Sequence, residues 1–238
     1  MKGVSLLSIQ DPVECTIVAR LNRFVVEVQI GDCRYRASTN NTGRLLDFVV
    51  PGRKAFCTSH TRPMKTDFSL FAVEDSVAGA LIDTQLQMRA FENGLSLGCI
   101  PWLEGFRMAK RNVRLGLSVV DYLLELGGQE TYLEVKSAVL RDGEYAMYPD
   151  CPSARGRRHV RDLAGHARTG GKAVILFIAA LPGVAAFKPN LLADPELQQL
   201  LVDARKAGVA LKALNIIYEP DDSSVRMVNP DVPVELRF

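Results

Sequence analysis

The stretch SVVDYLLELGGQETYLEVK, residues 118–136, contains two apolar runs separated by Gly127-Gly128. Each run is typical of a buried strand, and a Gly-Gly pair between two strands indicates a hairpin turn. Counting outward symmetrically from the two glycines places Asp121 opposite Glu134. The Cβ atoms of facing residues lie roughly 5 Å apart, a distance at which two carboxylates repel each other. A divalent cation bound between the two carboxylates would relieve that repulsion.

Lys136 follows Glu134 by two residues and therefore points to the same face of the strand. We interpret Asp121, Glu134 and Lys136 as a catalytic set. Asp121, Glu134 and the carbonyl oxygen of Val135 are then the expected ligands of Mg²⁺ or Mn²⁺. Two other interpretations stay open, because a one-residue shift in register turns a side chain to the other face. Glu134 and Lys136 would then be a surface ion pair, and Asp121 a solvated charge.

The chain has 238 residues, of which 47% are hydrophobic and 24% charged, and its formal net charge is +2. It is long enough for one large or two small domains, and the net charge neither favours nor excludes nucleic acid. No apolar run reaches the roughly 20 residues of a transmembrane helix, and the first seven residues do not resemble a signal peptide. We therefore expect a cytoplasmic protein with no membrane partner. The five scattered cysteines predict free thiols and no zinc site.

The first third of the chain has short strand patterns separated by turn signals. The predicted strands lie at residues 15–21, 24–30, 33–38, 45–50, 55–60 and 68–73. Several short strands without helices predict a small barrel, which we assign to residues 1–78 as an OB-like domain.

This predicted barrel carries basic and aromatic side chains, as barrels that bind single strands do. Three arginines are predicted to contact nucleic acid: Arg34, Arg36 and Arg44. The interleaved aromatic residues Phe24, Tyr35 and Phe48 either stack on bases or fill the interior of the barrel. The segment 41–43, Asn-Thr-Gly, is either a simple turn or one wall of a binding groove.

Residues 79–238 are predicted to form a mixed α/β domain. The predicted order is a helix at 84–92, strands at 111–117, 118–126 and 131–140, a helix ending at 169, a strand at 174–179, a helix from Asp194-Pro195 to Gly208, and a strand at 209–218. The first six elements follow the order αβββαβ of the restriction-endonuclease-like core of PD-(D/E)xK type nucleases. In that core the Asp lies on the second strand and Glu-x-Lys on the third, as they do here.

The helix that ends at 169 is rich in arginine and is predicted to contact phosphate groups beside the metal site. The predicted contacts are Arg155, Arg157, Arg158, His159 and Arg161. The alternative is an ordinary solvated basic face.

Several motifs together resemble a known family, the sugar fermentation stimulation proteins, SfsA. The motifs are VVDYLLE at 119–125, EVKS at 134–137, YPD at 148–150 and RGRRHVRDL at 155–163, with weaker matches at 20–26, 41–43 and 51–52. The resemblance covers almost the whole chain. It implies an OB-like barrel joined to a nuclease-like domain, DNA binding and DNA or RNA nuclease activity, with Asp121, Glu134 and Lys136 as the catalytic residues.

One departure from the family concerns the first helix of the nuclease-like domain, which usually carries an acidic residue in a Glu-Ala-Leu stretch. Here the matching residues are Arg89-Ala90-Phe91, and Glu92 lies about one turn beyond Arg89. Three hypotheses follow: a metal-dependent nuclease acting on DNA or RNA, a nucleic-acid-binding regulator with an inactive nuclease core, and a scaffold that binds no nucleic acid. The near-neutral net charge is the sole support for the third hypothesis.

Overall fold

The computed structural model describes residues 3–62 and 64–236, so Met1 and Lys2 of the N-terminal stretch considered above lie outside it. The strands of the first part are β1 (Val4–Ser8), β2 (Val13–Arg20), β3 (Val25–Ile30), β4 (Cys33–Ser38), β5 (Lys54–Ser59), β6 (Phe68–Asp75) and β7 (Ala78–Leu81). The second part follows with α1 (Thr84–Ser96), β8 (Arg107–Leu115), β9 (Ser118–Leu126), β10 (Gln129–Ala138), β11 (Leu140–Asp142), β12 (Tyr145–Tyr148), α2 (Ala154–Arg168), β13 (Lys172–Ala179), β14 (Ala186–Pro189), α3 (Pro195–Lys206), β15 (Ala210–Glu219) and β16 (Ser224–Val232). Within the described ranges, no helix is long and apolar enough to cross a bilayer.

Strands β2 to β6 close into a barrel, which confirms the predicted OB-like fold. Closure comes from the parallel pairing of β4 with β6, where Ala37 lies beside Phe68. Alternation of apolar and polar residues in β3 turns Val26 and Val28 into the core, where neither is exposed. All five barrel strands, β2 to β6, therefore pair on both sides without a free edge.

The predicted strand at 45–50 is wrong, because this segment is a compact turn. Leu45 has a φ of 51°, and the amides of Phe48 and Val49 donate to its carbonyl oxygen at 3.0 and 2.9 Å. Burial of Leu45 and Phe48 against the barrel produces an apolar pattern that resembles a strand. Phe48 therefore fills the core, whereas Phe24 is 49% exposed and stays available for stacking.

The second part is built on a sheet in the order β7-β15-β13-β10-β9-β8. Strands β10, β13 and β15 run parallel, and β9 and β8 continue the sheet in antiparallel pairing. The predicted hairpin register is confirmed, with Gln129 facing Leu126 and Leu133 facing Tyr122. The mixed α/β architecture predicted for this part is therefore confirmed.

Two helix boundaries differ from the predictions. Helix α1 continues through Gly94 to Ser96, because the buried Gly94 packs against Ile100 instead of ending the helix. Its N-cap is Asp83, whose side chain accepts the Leu86 amide, rather than Thr84, the first residue of the predicted helix.

At the start of α3, Asp194 occupies the N-cap position but makes no side-chain cap hydrogen bond. Its carboxylate instead accepts a hydrogen bond from Arg157 at 2.9 Å. This contact ties α3 to α2, and Asp194 is only 2% exposed.

An aromatic cluster joins the barrel to the second sheet. The Tyr218 ring on β15 lies 5.0 Å from the Phe56 ring and 4.8 Å from the Phe71 ring, both of which belong to barrel strands. Gly79 on β7 faces Tyr218, and a Cβ atom there would lie 2.9 Å from Cδ1 of Tyr218. The ring therefore fills the space between the two parts and leaves no room for a side chain opposite.

We expect Tyr218→Ala to lower the free energy of unfolding by about 3–5 kcal/mol, because it removes a buried ring that contacts both parts. Tyr218→Phe keeps the ring and should cost less than about 1.5 kcal/mol. Leu192→Ala, at a side chain that is 99% exposed, is the matched surface control. Urea unfolding measures all three, and equal losses for Tyr218→Ala and Leu192→Ala would contradict the role of the cluster.

Candidate functional site

Asp121 and Glu134 lie on adjacent strands at the point where the β9–β10 hairpin ladder ends. The ladder runs to the Leu133–Tyr122 pair, and beyond it Oδ2 of Asp121 accepts the backbone amide of Val135 at 2.7 Å. A side-chain carboxylate therefore takes the place of a strand carbonyl as the acceptor. Because side chains alternate along a strand, Asp121 and Glu134 share the face opposite to Tyr122.

The carboxylate of Glu134 is the centre of a buried hydrogen-bonded cluster. Its Oε1 atom accepts from Nζ of Lys136 at 2.6 Å and lies 2.5 Å from Nδ1 of His159 on α2. Arg155 donates through Nε to Nε2 of His159 at 3.3 Å, which places the proton of a neutral imidazole on Nδ1, facing Glu134. Glu134, Lys136 and His159 are 3%, 8% and 3% exposed. The cluster fixes the orientation of Glu134.

This placement corrects the predicted role of His159. We expected a surface contact to phosphate, but the ring is buried and both of its nitrogens are engaged within the protein. Helical periodicity put His159 on the face that also carries Val160 and Leu163, which pack on the sheet. His159 therefore positions Glu134.

Burial and neighbouring charges shift the pKa values of the three central groups in different directions. Burial, reinforced by the adjacent Glu134, raises the pKa of Asp121 to about 6. Burial also opposes ionisation of Glu134, but Lys136 and His159 outweigh it and lower the pKa of Glu134. Burial would lower the pKa of Lys136, yet Glu134 outweighs it and holds that pKa above its ordinary value. Lys136 therefore stays charged, whereas the Val135 amide and the neighbouring positive groups do not fully offset the burial of Asp121.

The residues present fit a divalent cation. Oε2 of Glu134 is buried and has no hydrogen-bond partner among the described residues, and a buried carboxylate oxygen without a partner is costly. Asp121, with its raised pKa, lies beside it. Within residues 3–62 and 64–236, no group of three or more His, Cys, Asp and Glu side chains is placed to hold a metal. A cation here would therefore depend on two carboxylates, a backbone carbonyl such as that of Val135, and external ligands.

The predicted basic residues of α2 divide into two sets. Arg157 and Arg161 face α3, where Arg157 pairs with Asp194 and Glu196, and Arg161 also pairs with Glu196. Both arginines are engaged in ion pairs within the protein, and their contact with phosphate stays a prediction. Arg155 and Arg158 are exposed; Arg155 contacts His159 of the buried cluster, and Arg158 has no ion-pair partner among the described residues.

The three predicted arginines of the barrel are exposed. Arg34 pairs with Glu27 at 3.2 Å, whereas the guanidinium groups of Arg36 and Arg44 form no ion pair with a described residue. Arg44 belongs to the loop after β4 that approaches the second part of the chain, where the neighbouring Leu45 amide donates to Asp150. Among the three predicted barrel arginines, Arg44 therefore lies on the loop that meets the second part of the chain, which carries Glu134.

Sequence reasoning missed a set of polar residues on β8, the edge strand of the sheet. Arg111 pairs with Tyr122 and Val113 with Val120, so the register places Asn112 beside Asp121. Lys110, Asn112 and Arg114 are exposed, and alternation puts the three on the face that carries Asp121. The predicted strand began at 111, which left Lys110 outside it. The basic residues Lys110 and Arg114 are an even number of positions apart, and this spacing could have indicated a basic face on the strand.

The structure also shows where the two α1 residues lie that were considered at the departure from the family pattern, Arg89 and Glu92. Oε1 of Glu92 accepts from the hydroxyl of Tyr122 at 2.8 Å, and the same carboxylate pairs with Arg111. Tyr122 points away from the face that carries Asp121, so Glu92 lies on the other side of the sheet. Arg89 is exposed. Helix α1 therefore brings neither residue to the carboxylate pair.

A cleft of about 210 Å³ opens beside Lys136. One wall is the barrel loop Asn41–Gly43, and the opposite wall is formed by Tyr148, Asp150, Cys151 and Ser153. The amide of Leu45 donates to Oδ2 of Asp150 at 3.1 Å and closes one end. The segment 41–43 is thus both a turn and a groove wall.

We expect Asp121→Asn to stabilise the metal-free protein at neutral pH. The raised pKa means that the folded protein holds this proton more tightly than the unfolded chain, so the ionised carboxylate costs stability above about pH 6. Asparagine removes the charge and keeps an oxygen for the Val135 amide. In EDTA at pH 8 the gain should be on the order of 2 kcal/mol, and it should disappear near pH 4.

Thermal unfolding across pH measures this gain, with Asp221→Asn at an exposed position as the control. A loss of stability in Asp121→Asn at pH 8 would contradict the assigned electrostatics.

Two sequence families match the two parts of the chain. Residues 18–82 match the SfsA N-terminal OB domain, and residues 85–222 match the sugar fermentation stimulation protein RE domain. A sugar fermentation stimulation protein homolog from Pyrococcus furiosus is 46% identical over 216 residues, which cover 91% of this chain and 94% of the relative. The homolog from Archaeoglobus fulgidus is 43% identical, covering 97% and 99%.

A solved structure of SfsA from Pyrococcus furiosus in complex with Ca²⁺ is similar to this chain over its whole length. The TM-score is 0.93 at 44% identity, covering 98% of this chain and 99% of the other. The family resemblance expected from the sequence motifs is confirmed, and this chain belongs to the sugar fermentation stimulation protein family.

Proposed function

We propose that this protein is a metal-dependent nuclease that hydrolyses phosphodiester bonds. The observation that carries the proposal is that Asp121 lies near Glu134, whose Oε2 atom has no hydrogen-bond partner among the described residues, beside the buried, charged Lys136. Two close carboxylates beside a protonated amine lower the stability of the fold, because each buried charge must be desolvated. Such arrangements concentrate at functional sites.

Asp121, Glu134 and the carbonyl oxygen of Val135 would hold Mg²⁺ or Mn²⁺, since hard cations prefer oxygen ligands. The Ca²⁺ in the related Pyrococcus furiosus structure supports the use of a divalent ion. When bound, such an ion polarises a phosphoryl oxygen and lowers the pKa of water.

The side chains of the protein supply positioning and charge. His159 holds Glu134 in one orientation, and Arg155 holds His159. Lys136 stays protonated, so that its ammonium group can stabilise the negative charge that develops on the phosphate. Asp121 must lose its proton to bind a cation, so cation binding should weaken as the pH falls below the raised pKa of about 6.

We assign nucleic-acid binding to two surfaces. The first is the barrel, residues 1–78 in our assignment, where Arg36 and Arg44 supply charge and Phe24 supplies an exposed ring. The second lies in residues 79–238 and combines Arg155 and Arg158 of α2 with Lys110 and Arg114 of β8. Charged groups on both sides of Asp121 would guide a phosphate backbone across the site. DNA and RNA share that backbone.

A nucleic-acid-binding regulator with an inactive nuclease core is the second candidate. The observation that favours it is the engagement of Glu92 with Tyr122 and Arg111 on the other side of the sheet, which leaves the site without an acid from the first helix. This candidate predicts binding without cleavage.

We expect Glu134→Gln to reduce cleavage of labelled DNA or RNA at least 100-fold in Mg²⁺ or Mn²⁺ and to leave binding within about threefold, because the carboxylate acts on the metal. EDTA should abolish cleavage by the wild type. Glu130→Gln, at an exposed carboxylate on the same strand, is the matched control. Equal cleavage by Glu134→Gln and wild type would contradict the site, and binding without cleavage by either would favour the regulator.

We expect Arg114→Glu to weaken binding uniformly across sequences and to reduce the slope of log K against log salt by about one or more, because a phosphate contact is lost. Arg168→Glu, an exposed arginine in the last turn of α2, is the control. Fluorescence anisotropy over a salt series measures both slopes. Identical slopes for Arg114→Glu and wild type would remove β8 from the binding surface.

A further inference from the structure

A narrow cleft opens beside Lys136, the lysine of the set assigned to catalysis. Glu134 and Lys136 are 3% and 8% exposed, and the cleft beside Lys136 has a volume of about 210 Å³. Pockets that accept drug-sized ligands start at roughly 300 Å³, so the cleft has room for a fragment of one nucleotide. A substrate that reaches Lys136 through this cleft must therefore enter a restricted space.

The barrel wall of the cleft is held in place by a network of hydrogen bonds. Arg20 donates to the carbonyl oxygen of Gly43 at 2.8 Å, and Arg23 donates to that of Thr42 at 3.1 Å. Nδ2 of Asn41 donates to the Ile82 carbonyl at 3.0 Å, and its Oδ1 accepts the Gly43 amide at 2.9 Å. These contacts anchor both ends of the loop, so that the wall does not open without breaking several of them.

The two walls also fit each other closely. A Cβ atom at Gly43 would lie 2.3 Å from Oδ2 of Asp150, so a larger residue at position 43 would displace the Asp150 carboxylate. Asp150 in turn accepts the Leu45 amide. The barrel loop and the loop after β12 are thus locked together at one end of the cleft.

A polar group inside the cleft lacks a partner. Oγ of Ser137 is buried and forms no hydrogen bond with a described residue, and Ser137 lines the cleft beside Lys136. A buried hydroxyl without a partner costs free energy unless a ligand or water satisfies it. The cleft therefore offers a hydrogen-bonding group as well as space.

From this geometry we propose that the substrate is single-stranded nucleic acid, with part of one nucleotide inserted in the cleft between Thr42 and Tyr148 and within reach of Ser137. A duplex is stiff and keeps each phosphate beside its paired strand, whereas the backbone of a single strand turns freely into a recess. The proposal rests on the proposed nuclease function and specifies the substrate class of that site.

The test compares three labelled forms of one sequence: a single strand, a blunt duplex, and a duplex with a single-stranded tail. Binding is measured by anisotropy in Ca²⁺, and cleavage in Mg²⁺ and in Mn²⁺. We expect the single strand and the tail to be bound and cut at least tenfold better than the blunt duplex. A blunt duplex that is bound and cut equally well would overturn the single-strand proposal and leave the nuclease intact.

The matched variants are Thr42→Trp, which fills the cleft from an exposed loop position, and Thr61→Trp, at an exposed loop position outside the cleft. Thr42→Trp should weaken single-strand binding in Ca²⁺ at least tenfold with an unchanged melting temperature, and Thr61→Trp should not. Equal single-strand binding by both variants would overturn the proposal. Binding of single strands without cleavage would reject the nuclease but retain the strand preference, and no binding of any form would reject both.

Discussion

The close placement of Asp121 and Glu134 on one buried face is the constraint on which the rest of the site depends. The two charges repel, and burial raises the pKa of Asp121 to about 6. Lys136 and His159 contact Oε1 of Glu134, while its Oε2 atom has no hydrogen-bond partner among the described residues and the burial of Asp121 is only partly offset. The protein thus tolerates an electrostatic penalty at the end of the hairpin, and a cation would remove that penalty.

The surrounding elements hold this pair and limit access to it. Helix α2 supplies His159 from one side, and the edge strand β8 places Asn112 beside Asp121. On the remaining side, the barrel loop meets Asp150 and narrows the approach to Lys136. The barrel is therefore part of the architecture of the site as well as a proposed binding surface, and the Tyr218 cluster keeps the two parts in contact.

The sequence allowed the hairpin register to be predicted, because Gly127-Gly128 fixes the turn and the two flanking runs are unambiguous. The strand predicted at residues 45–50 is wrong, because a turn there buries apolar side chains at the spacing typical of a strand. The burial of His159 and the ion pairs of Arg157 depend on which face of α2 meets each neighbour. Such tertiary contacts are not encoded in the local pattern, which shows a basic helix but not its partners.

The central claim is that the two carboxylates together bind a divalent cation. Crystals soaked in Mn²⁺ and measured near the manganese absorption edge test it directly, with crystals of Glu134→Gln as the comparison. The account predicts an anomalous peak in contact with both Asp121 and Glu134 in the wild type and its loss in the variant. A wild-type structure with no peak between these carboxylates, at a pH above 6 where Asp121 is ionised, would contradict it.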